Sequence, residues 1–154
     1  MSFALKSTAF SNGGEIPRKY TCSGENVSPA LNWTEPPGHA RSLALIVDDP
    51  DAPAGTWTHW IIWNIPAHAT SLPEAVPTIQ ESLASGARQG KNDFGRIGYG
   101  GPCPPPGRPH RYFFKLYALG AILDLKPGAA RSELESAMNP HVLAHAEWMG
   151  LFKR

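Results

Sequence analysis

Two short stretches of the chain gather residue types that can hold or transform a small ligand. The first is Asp48-Asp49-Pro50-Asp51-Ala52-Pro53, followed closely by Trp57 and His59. Pro50 and Pro53 fix their own φ and restrict the residue before each, so the carboxylates stand in a stiff turn. The second stretch runs from Gly98 to Tyr112 and is dense in proline and glycine. Proline donates no backbone hydrogen bond and glycine admits close approach, so this stretch suits a preformed wall and cannot be a regular helix. His110 and Tyr112 close it, two positions apart, which on a strand puts both side chains on one face. Imidazole N–H and phenol O–H groups, from His59, His110 and Tyr112, can donate to an anion's oxygens. Asp49 suits a different role. It can accept from an imidazole N–H, fix the tautomer and favour the charged ring, so anion binding is expected to strengthen at mildly acidic pH. Each cluster alone also fits a plainer reading: a solvated turn beside a half-buried histidine, and a stiff connector with a core tyrosine.

Strands must position these residues. Residues 42–48 (SLALIVD) and 60–65 (WIIWNI) are short apolar runs rich in branched and aromatic side chains, and 111–119 (RYFFKLYAL) alternates in part; all three predict strands. Asn12-Gly13-Gly14 and Pro36-Pro37-Gly38 are turn signals. Residues 67–98 mix Ala, Ser, Pro and Gly and predict a long surface excursion. Toward the end, Ser132-Glu133-Leu134-Glu135 reads as a capping box, with Ser132 as N-cap and Glu135 reaching back. Asn139-Pro140 then reads as the start of a second helix, with Gly150 just past its end. Strands first and helices late predict α+β, or mostly β with a C-terminal helical flank. No internal boundary divides residues 1–154, so one domain is expected.

Composition narrows the function. With 42% hydrophobic residues and five Trp, 154 residues can bury a real core. Fourteen basic against thirteen acidic residues leave +1, no footprint for nucleic acid or acidic membranes, so any anion site must be local geometry. No apolar stretch reaches a membrane span and no signal-peptide pattern opens the chain, which reads as cytoplasmic. Cys22 and Cys103 form no CxxC pair, which excludes a zinc knuckle or a thioredoxin-type motif. His141 and His145 sit at i, i+4 on the expected final helix, but lack the zincin glutamate and read as packing and surface. Two histidines near a carboxylate resemble a non-haem metal triad, yet nothing adds a further ligand, so neither metal nor cofactor is expected. No serine has a G-x-S-x-G setting.

Taken in order along the chain, DPDAP (49–53), W-x-H-W (57–60), the GP-x-PP-x-G run (101–107) and HRY (110–112) resemble the phosphatidylethanolamine-binding protein family. The likeness is to its bacterial and archaeal branch, which is similar to Raf kinase inhibitor protein. Ile16-Pro17, Tyr20-Thr21-Cys22, Ser28-Pro29, Asn92-Asp93-Phe94-Gly95 and Leu116-Tyr117-Ala118-Leu119 extend it over nearly the whole chain. The resemblance implies a β-sandwich-like core of two sheets with a C-terminal helical flank. It implies a pocket with Asp49 as carboxylate, His59 and His110 as histidines, Tyr112 as tyrosine and Trp57 at the rim. Pro104 is the best match to a lining proline, with Pro102 and Pro105 open. It places Cys22 and Cys103 in loops near one pocket, so a contact or disulfide stands beside the reading of two free thiols. The implied partners are a phosphate-containing or other small anion, a kinase or protease that the protein inhibits, and a second copy in a homodimer. At Ala54-Gly55-Thr56 the loop is shorter than in eukaryotic members, which carry a further pocket tyrosine there. A ligand-binding module is the expected function. The alternative is a small hydrolase using His59, His110 and Asp49 for acid–base work; the missing activated nucleophile favours binding.

Overall fold

In β3, Ser42–Asp49, every residue is buried. A strand of that kind needs cover on both faces, and the rest of the fold supplies it. The computed structural model describes residues 3–154. Antiparallel partners flank β3: β4, Trp57–Pro66, on one side and β7, His110–Leu119, on the other. The short β6, Arg88–Gln89, extends the sheet beyond β4, and β8, Val142–Phe152, extends it beyond β7, giving the order β6-β4-β3-β7-β8. A second antiparallel sheet is built from β1, Leu5–Lys6, β2, Leu31–Trp33, and β5, Ser71–Leu72.

Alternation along the strands divides the core. Leu43, Leu45, Val47, Trp60, Ile62, Phe114 and Leu116 face the small sheet and join Leu5, Leu31 and Trp33 in the larger core. Ala44, Ile46, Ile61 and Trp63 face the other way, where α1, Arg131–Met138, covers them with Leu134 and Met138. The molecule is therefore mostly β, two antiparallel sheets with one short helix near the C-terminus. No helix among the described residues is long and apolar enough to cross a membrane.

The end of the chain corrects two expectations. Only half of a capping box forms, and it lies two residues earlier than the sequence suggests. Ala130 is the N-cap, and Glu133, not Glu135, reaches back, its Oε1 accepting the Ala130 N–H at 3.0 Å. Glu135 instead lies 3.4 Å from Arg131 Nε, one turn back. The second helix does not form. Asn139–His141 is a single 3-10 turn, and from Val142 the chain is strand, paired with β7 from Leu119↔Val142 to His110↔Phe152. Ala146, Gly150 and Phe152 are buried while Leu143, His145 and Glu147 are exposed, the period of a strand and not of a helix. Gly150 ends nothing. It lies opposite Tyr112 in mid-strand, where a Cβ would run into Ile16 and stand 2.7 Å from Phe10. His141 and His145 lose their shared helical face: His141 is in the turn, and His145 lies on β8 against the Tyr117 ring.

Candidate functional site

Alternation sends the last two residues of β3 in opposite directions. Asp48 turns toward α1, where Lys115 Nζ (3.1 Å) and Arg131 Nη1 (2.8 Å) both meet its Oδ2. Asp49 turns to the inter-sheet side, where Oδ2 accepts from His110 Nδ1 at 2.7 Å and Oδ1 accepts the Asp51 N–H at 2.7 Å. His110 and Tyr112, two apart at the start of β7, face the same cleft. His59 arrives by a different device. The β3–β4 register slips by one between Val47↔Trp60 and Asp48↔Thr58, leaving His59 without a partner. This is a β-bulge. Trp57 and His59 therefore join Trp60 on the inter-sheet side, while Thr58 turns back toward Arg131, whose Nη1 donates to Thr58 Oγ1 at 3.1 Å.

Three loops close around this strand edge. Arg111 grips Asp51 through Nε (2.9 Å), Nη2 (2.8 Å) and its own backbone N–H (2.9 Å), drawing the turn after β3 onto β7. These bonds hold the Asp51 carboxyl down to about 2. Asp93 docks a second loop on β4: its Oδ2 accepts the Thr58 N–H at 2.6 Å, and its N–H donates to Thr58 O at 2.9 Å. That loop delivers Phe94, 42% exposed, whose ring stands 5.4 Å from both Trp57 and His59. The proline-rich wall is the third. A disulfide joins Cys103 to Cys22, with Cα atoms 5.4 Å apart, and the Cys22 N–H donates to Pro102 O at 3.1 Å. At Gly101 a Cβ would collide with the Tyr20 carbonyl and the Asn26 side chain, so only glycine lets the wall approach so closely.

The result is a cavity of about 190 Å³. Asp49, His59, His110 and Tyr112 supply its polar groups; Ala52, Pro53, Trp57, Phe94, Cys103, Pro104 and Pro105 supply the rest of the wall. The hydrogen bonds assign the imidazole tautomers. His59 Nδ1 lies 2.6 Å from Gly100 O, and a carbonyl only accepts, so Nδ1 carries the proton. His110 Nδ1 is bound in the same way to a carboxylate. In both rings Nε2 is the nitrogen left over. Burial pushes the His59 pKa down, against the Gly100 carbonyl and the Asp49 charge, which pull it up. A neutral His59 therefore offers the cavity an acceptor, and it donates from Nε2 only when charged. Burial, then the Asp49 charge, pushes the Tyr112 phenol far above its ordinary value, so it keeps its proton. Among the described residues Tyr112 Oη and Trp57 Nε1 are both buried and meet no partner at full hydrogen-bonding geometry, although the Asp49 carboxylate stands close enough to the Tyr112 phenol to act on it. Unsatisfied buried donors are rare in a folded interior and mark places where something else belongs.

The structure thus brings Asp49, Trp57, His59, Pro104, His110 and Tyr112 to one cavity. Of the open prolines, Pro105 lines it with Pro104, and Pro102 does not. Sequence reasoning missed Ala52, Pro53 and Phe94. For Phe94 a signal existed, because Asn92-Asp93-Phe94-Gly95 forms a turn closed by the Asn92 side chain, whose Oδ1 accepts the Phe94 N–H at 2.9 Å. Among the described residues no group of three His, Cys, Asp or Glu gathers as a metal would need.

Known proteins share this architecture and sequence. Residues 6–153 match the family described as phosphatidylethanolamine-binding protein. The UPF0098 protein of Methanothermobacter thermautotrophicus is 55% identical over 150 residues, covering 97% of this chain and 98% of its own. The UPF0098 protein of Aquifex aeolicus is 51% identical over 96% of this chain and 86% of its own. Among solved structures, YbcL of E. coli, described as a member of the mammalian PEBP family, superposes with a TM-score of 0.93 at 34% identity, covering 100% of this chain and 99% of its own. A phosphatidylethanolamine-binding protein homologue from Chlamydia trachomatis gives 0.90 at 40% identity, covering 99% and 98%. With the match spanning the sheet, the bulge and all three loops, the chain belongs to the phosphatidylethanolamine-binding protein family.

Proposed function

We propose that this protein binds a small ligand through a phosphoryl or comparable anionic group, held in the cavity by His59, His110, Tyr112 and Trp57. The observation that carries the reading is the pair of buried donors without partners, Tyr112 Oη and Trp57 Nε1, on residues lining the same cavity as two imidazole edges. An acceptor-rich group that reaches both donors would satisfy them. The apolar wall of Ala52, Pro53, Phe94, Pro104 and Pro105 suits a ligand whose remainder is small and weakly polar.

The tautomers give the reading a pH dependence. Each Nδ1 proton is committed inward, so one further proton must sit between an Nε2 and a phosphoryl oxygen. Either the ring is charged, or the phosphate brings a P–OH that donates to nitrogen. Both routes lose that proton as pH rises, and affinity then falls by at most about tenfold per pH unit for each imidazole edge that meets a phosphoryl oxygen. Calorimetric titration with inorganic phosphate and phenyl phosphate between pH 5.5 and 8 checks this. Saturable binding that strengthens toward pH 5.5 and is lost in His110→Ala is the expected result. Affinity flat across that range would sink the assignment.

One observation favours a second reading. The 2.7 Å contact of Asp49 with His110 is also how a carboxylate orients a general base. Among the described residues the lining holds no serine or free thiol, since Cys103 is in the disulfide, and this reading takes water as the nucleophile. Turnover of nitrophenyl esters or phosphates that disappears in His110→Ala would establish this reading; no turnover leaves binding.

A further inference from the structure

The cavity is lined by no lysine or arginine. Several cations of the chain are occupied elsewhere. Arg111 is held by Asp51, Lys115 and Arg131 by Asp48 on the opposite face of the sheet, and Lys19 by Glu74. Two guanidinium groups beside His110 are not so occupied. Arg154 donates from Nε to Pro104 O at 2.6 Å, the carbonyl of a residue in the cavity wall, and the rest of its guanidinium has no hydrogen-bond partner among the described residues. Arg108 is exposed and takes part in no ion pair among the described residues. With Asp51, Pro109, His110 and Arg111 it lines a cleft of about 430 Å³ that meets the first cavity at their shared residue, His110.

These two arginines come together at the end of a ladder. The last β7–β8 pair is His110↔Phe152. Beyond it the Gly107 N–H donates to the Arg154 main-chain oxygen at 3.3 Å, so the chains stay side by side. That bond puts Arg154 opposite Gly107, so Arg108, the next residue, lies diagonally across from Arg154 just past the ladder. The nearest side-chain carboxylate in the cleft, Asp51, is already bound through both oxygens to Arg111. An anion held at His110 lies between the cleft that Arg108 lines and the cavity wall that Arg154 bonds. Guanidinium groups, with their fork of donors, match the oxygens of phosphate.

We infer that Arg108 and Arg154 form a cationic rim at the His110 side of the cavity, taking the outer oxygens of a phosphate monoester whose inner oxygens meet His110 and Tyr112. The inference rests on the phosphoryl reading and adds selectivity to it. A monoester presents three terminal oxygens and two charges when the shared proton sits on the imidazole. A diester presents two oxygens and one charge, and leaves the rim unfilled.

The test compares phenyl phosphate with methyl phenyl phosphate by calorimetry at pH 6.5 and fixed salt. Wild type should prefer the monoester by about tenfold or more. R108Q and R154Q should each lower monoester affinity several-fold, R108Q should leave diester affinity unchanged, and the double variant should bring the two ligands level. Arg108 is exposed and makes no hydrogen bond among the described residues, so its replacement does not threaten the fold. Arg154→Lys, which keeps charge without the fork, should recover part of the preference. Variants that keep the full wild-type preference would overturn the rim while leaving the phosphoryl site intact. A wild type that binds neither probe would overturn the underlying phosphoryl reading, and the rim with it.

Discussion

The disulfide between Cys22 and Cys103 offers the sharpest quantitative test of the fold. It closes a loop of 81 residues that contains β2 to β6 and most of the cavity. Breaking it, by a dithiol reductant or by Cys22→Ser with Cys103→Ser, returns loop entropy to the unfolded chain. The chain-entropy relation for a loop of that length gives about 4.5 kcal/mol, and measured losses for such bonds run at roughly 2–4 kcal/mol. For a chain of this size each kcal/mol moves the midpoint by roughly 2–4 °C, so a fall of about 4–18 °C is expected. Urea unfolding followed by tryptophan fluorescence measures the free energy directly, with oxidised and reduced protein compared under the same buffer. The slope against urea should also fall on oxidation, because a cross-linked unfolded chain exposes less surface. A difference below about 1 kcal/mol, with the bond proved present by thiol titration in the oxidised sample, would refute the entropic reasoning. It would mean that the native state carries compensating strain, or that the unfolded chain already holds the two loops together.

Two further outcomes follow from the same wall and cleft. Gly101→Ala should cost about 1–3 kcal/mol, since its Cβ meets the Tyr20 carbonyl and backbone cannot retreat as a flexible side chain can; an unfolding midpoint unchanged from wild type would show that the wall moves freely. His59 is kept neutral in the fold by burial, while the unfolded chain takes up its proton in the ordinary histidine range. Its folded pKa lies below its unfolded one, so the stability it contributes is whole above the unfolded value and is lost as pH falls toward the folded value. Urea unfolding between pH 7.5 and 5 should show that decline, and His59→Gln should flatten it; an equal decline in the variant would assign the slope to other groups.

Much of the site was legible because its information is local. Pro50 and Pro53 announce a stiff turn wherever they fall, and two residues spaced two apart on a strand share a face whatever the strand pairs with. Residues 42–48 and 111–119 carry enough apolar side chains to be strands in any fold. The last strand was not legible for the opposite reason. Ala144, Ala146, Glu147 and Met149 are good helix formers, and Pro140 with Gly150 imitates a helix start and stop. Their state is decided by the β7 edge lying alongside, a contact that no window of neighbouring residues contains. The tautomers were out of reach as well. Whether an imidazole offers the cavity a donor or an acceptor depends on a carbonyl 41 residues away in one case and a carboxylate 61 residues away in the other.

The placement of Asp48 beside Asp49 shows how far the site depends on the frame behind it. The two carboxylates share one strand end, and the pleat alone assigns one to each face. Asp48, fully buried, draws Lys115 from β7 and Arg131 from α1 onto a single oxygen. Arg131 reaches on to Thr58, the residue just before the bulged His59. The ion cluster behind the sheet thus ties together the three elements whose front edges carry Asp49, His59 and His110. Removing only one member of a buried charge cluster leaves the others uncompensated, so Asp48 must stay paired for the fold as well as for the site. A loop can set the outline of a cavity, as the proline-rich wall does here. The fixed spacing of the two imidazole edges needs the sheet, its bulge, and the helix anchored on the far side.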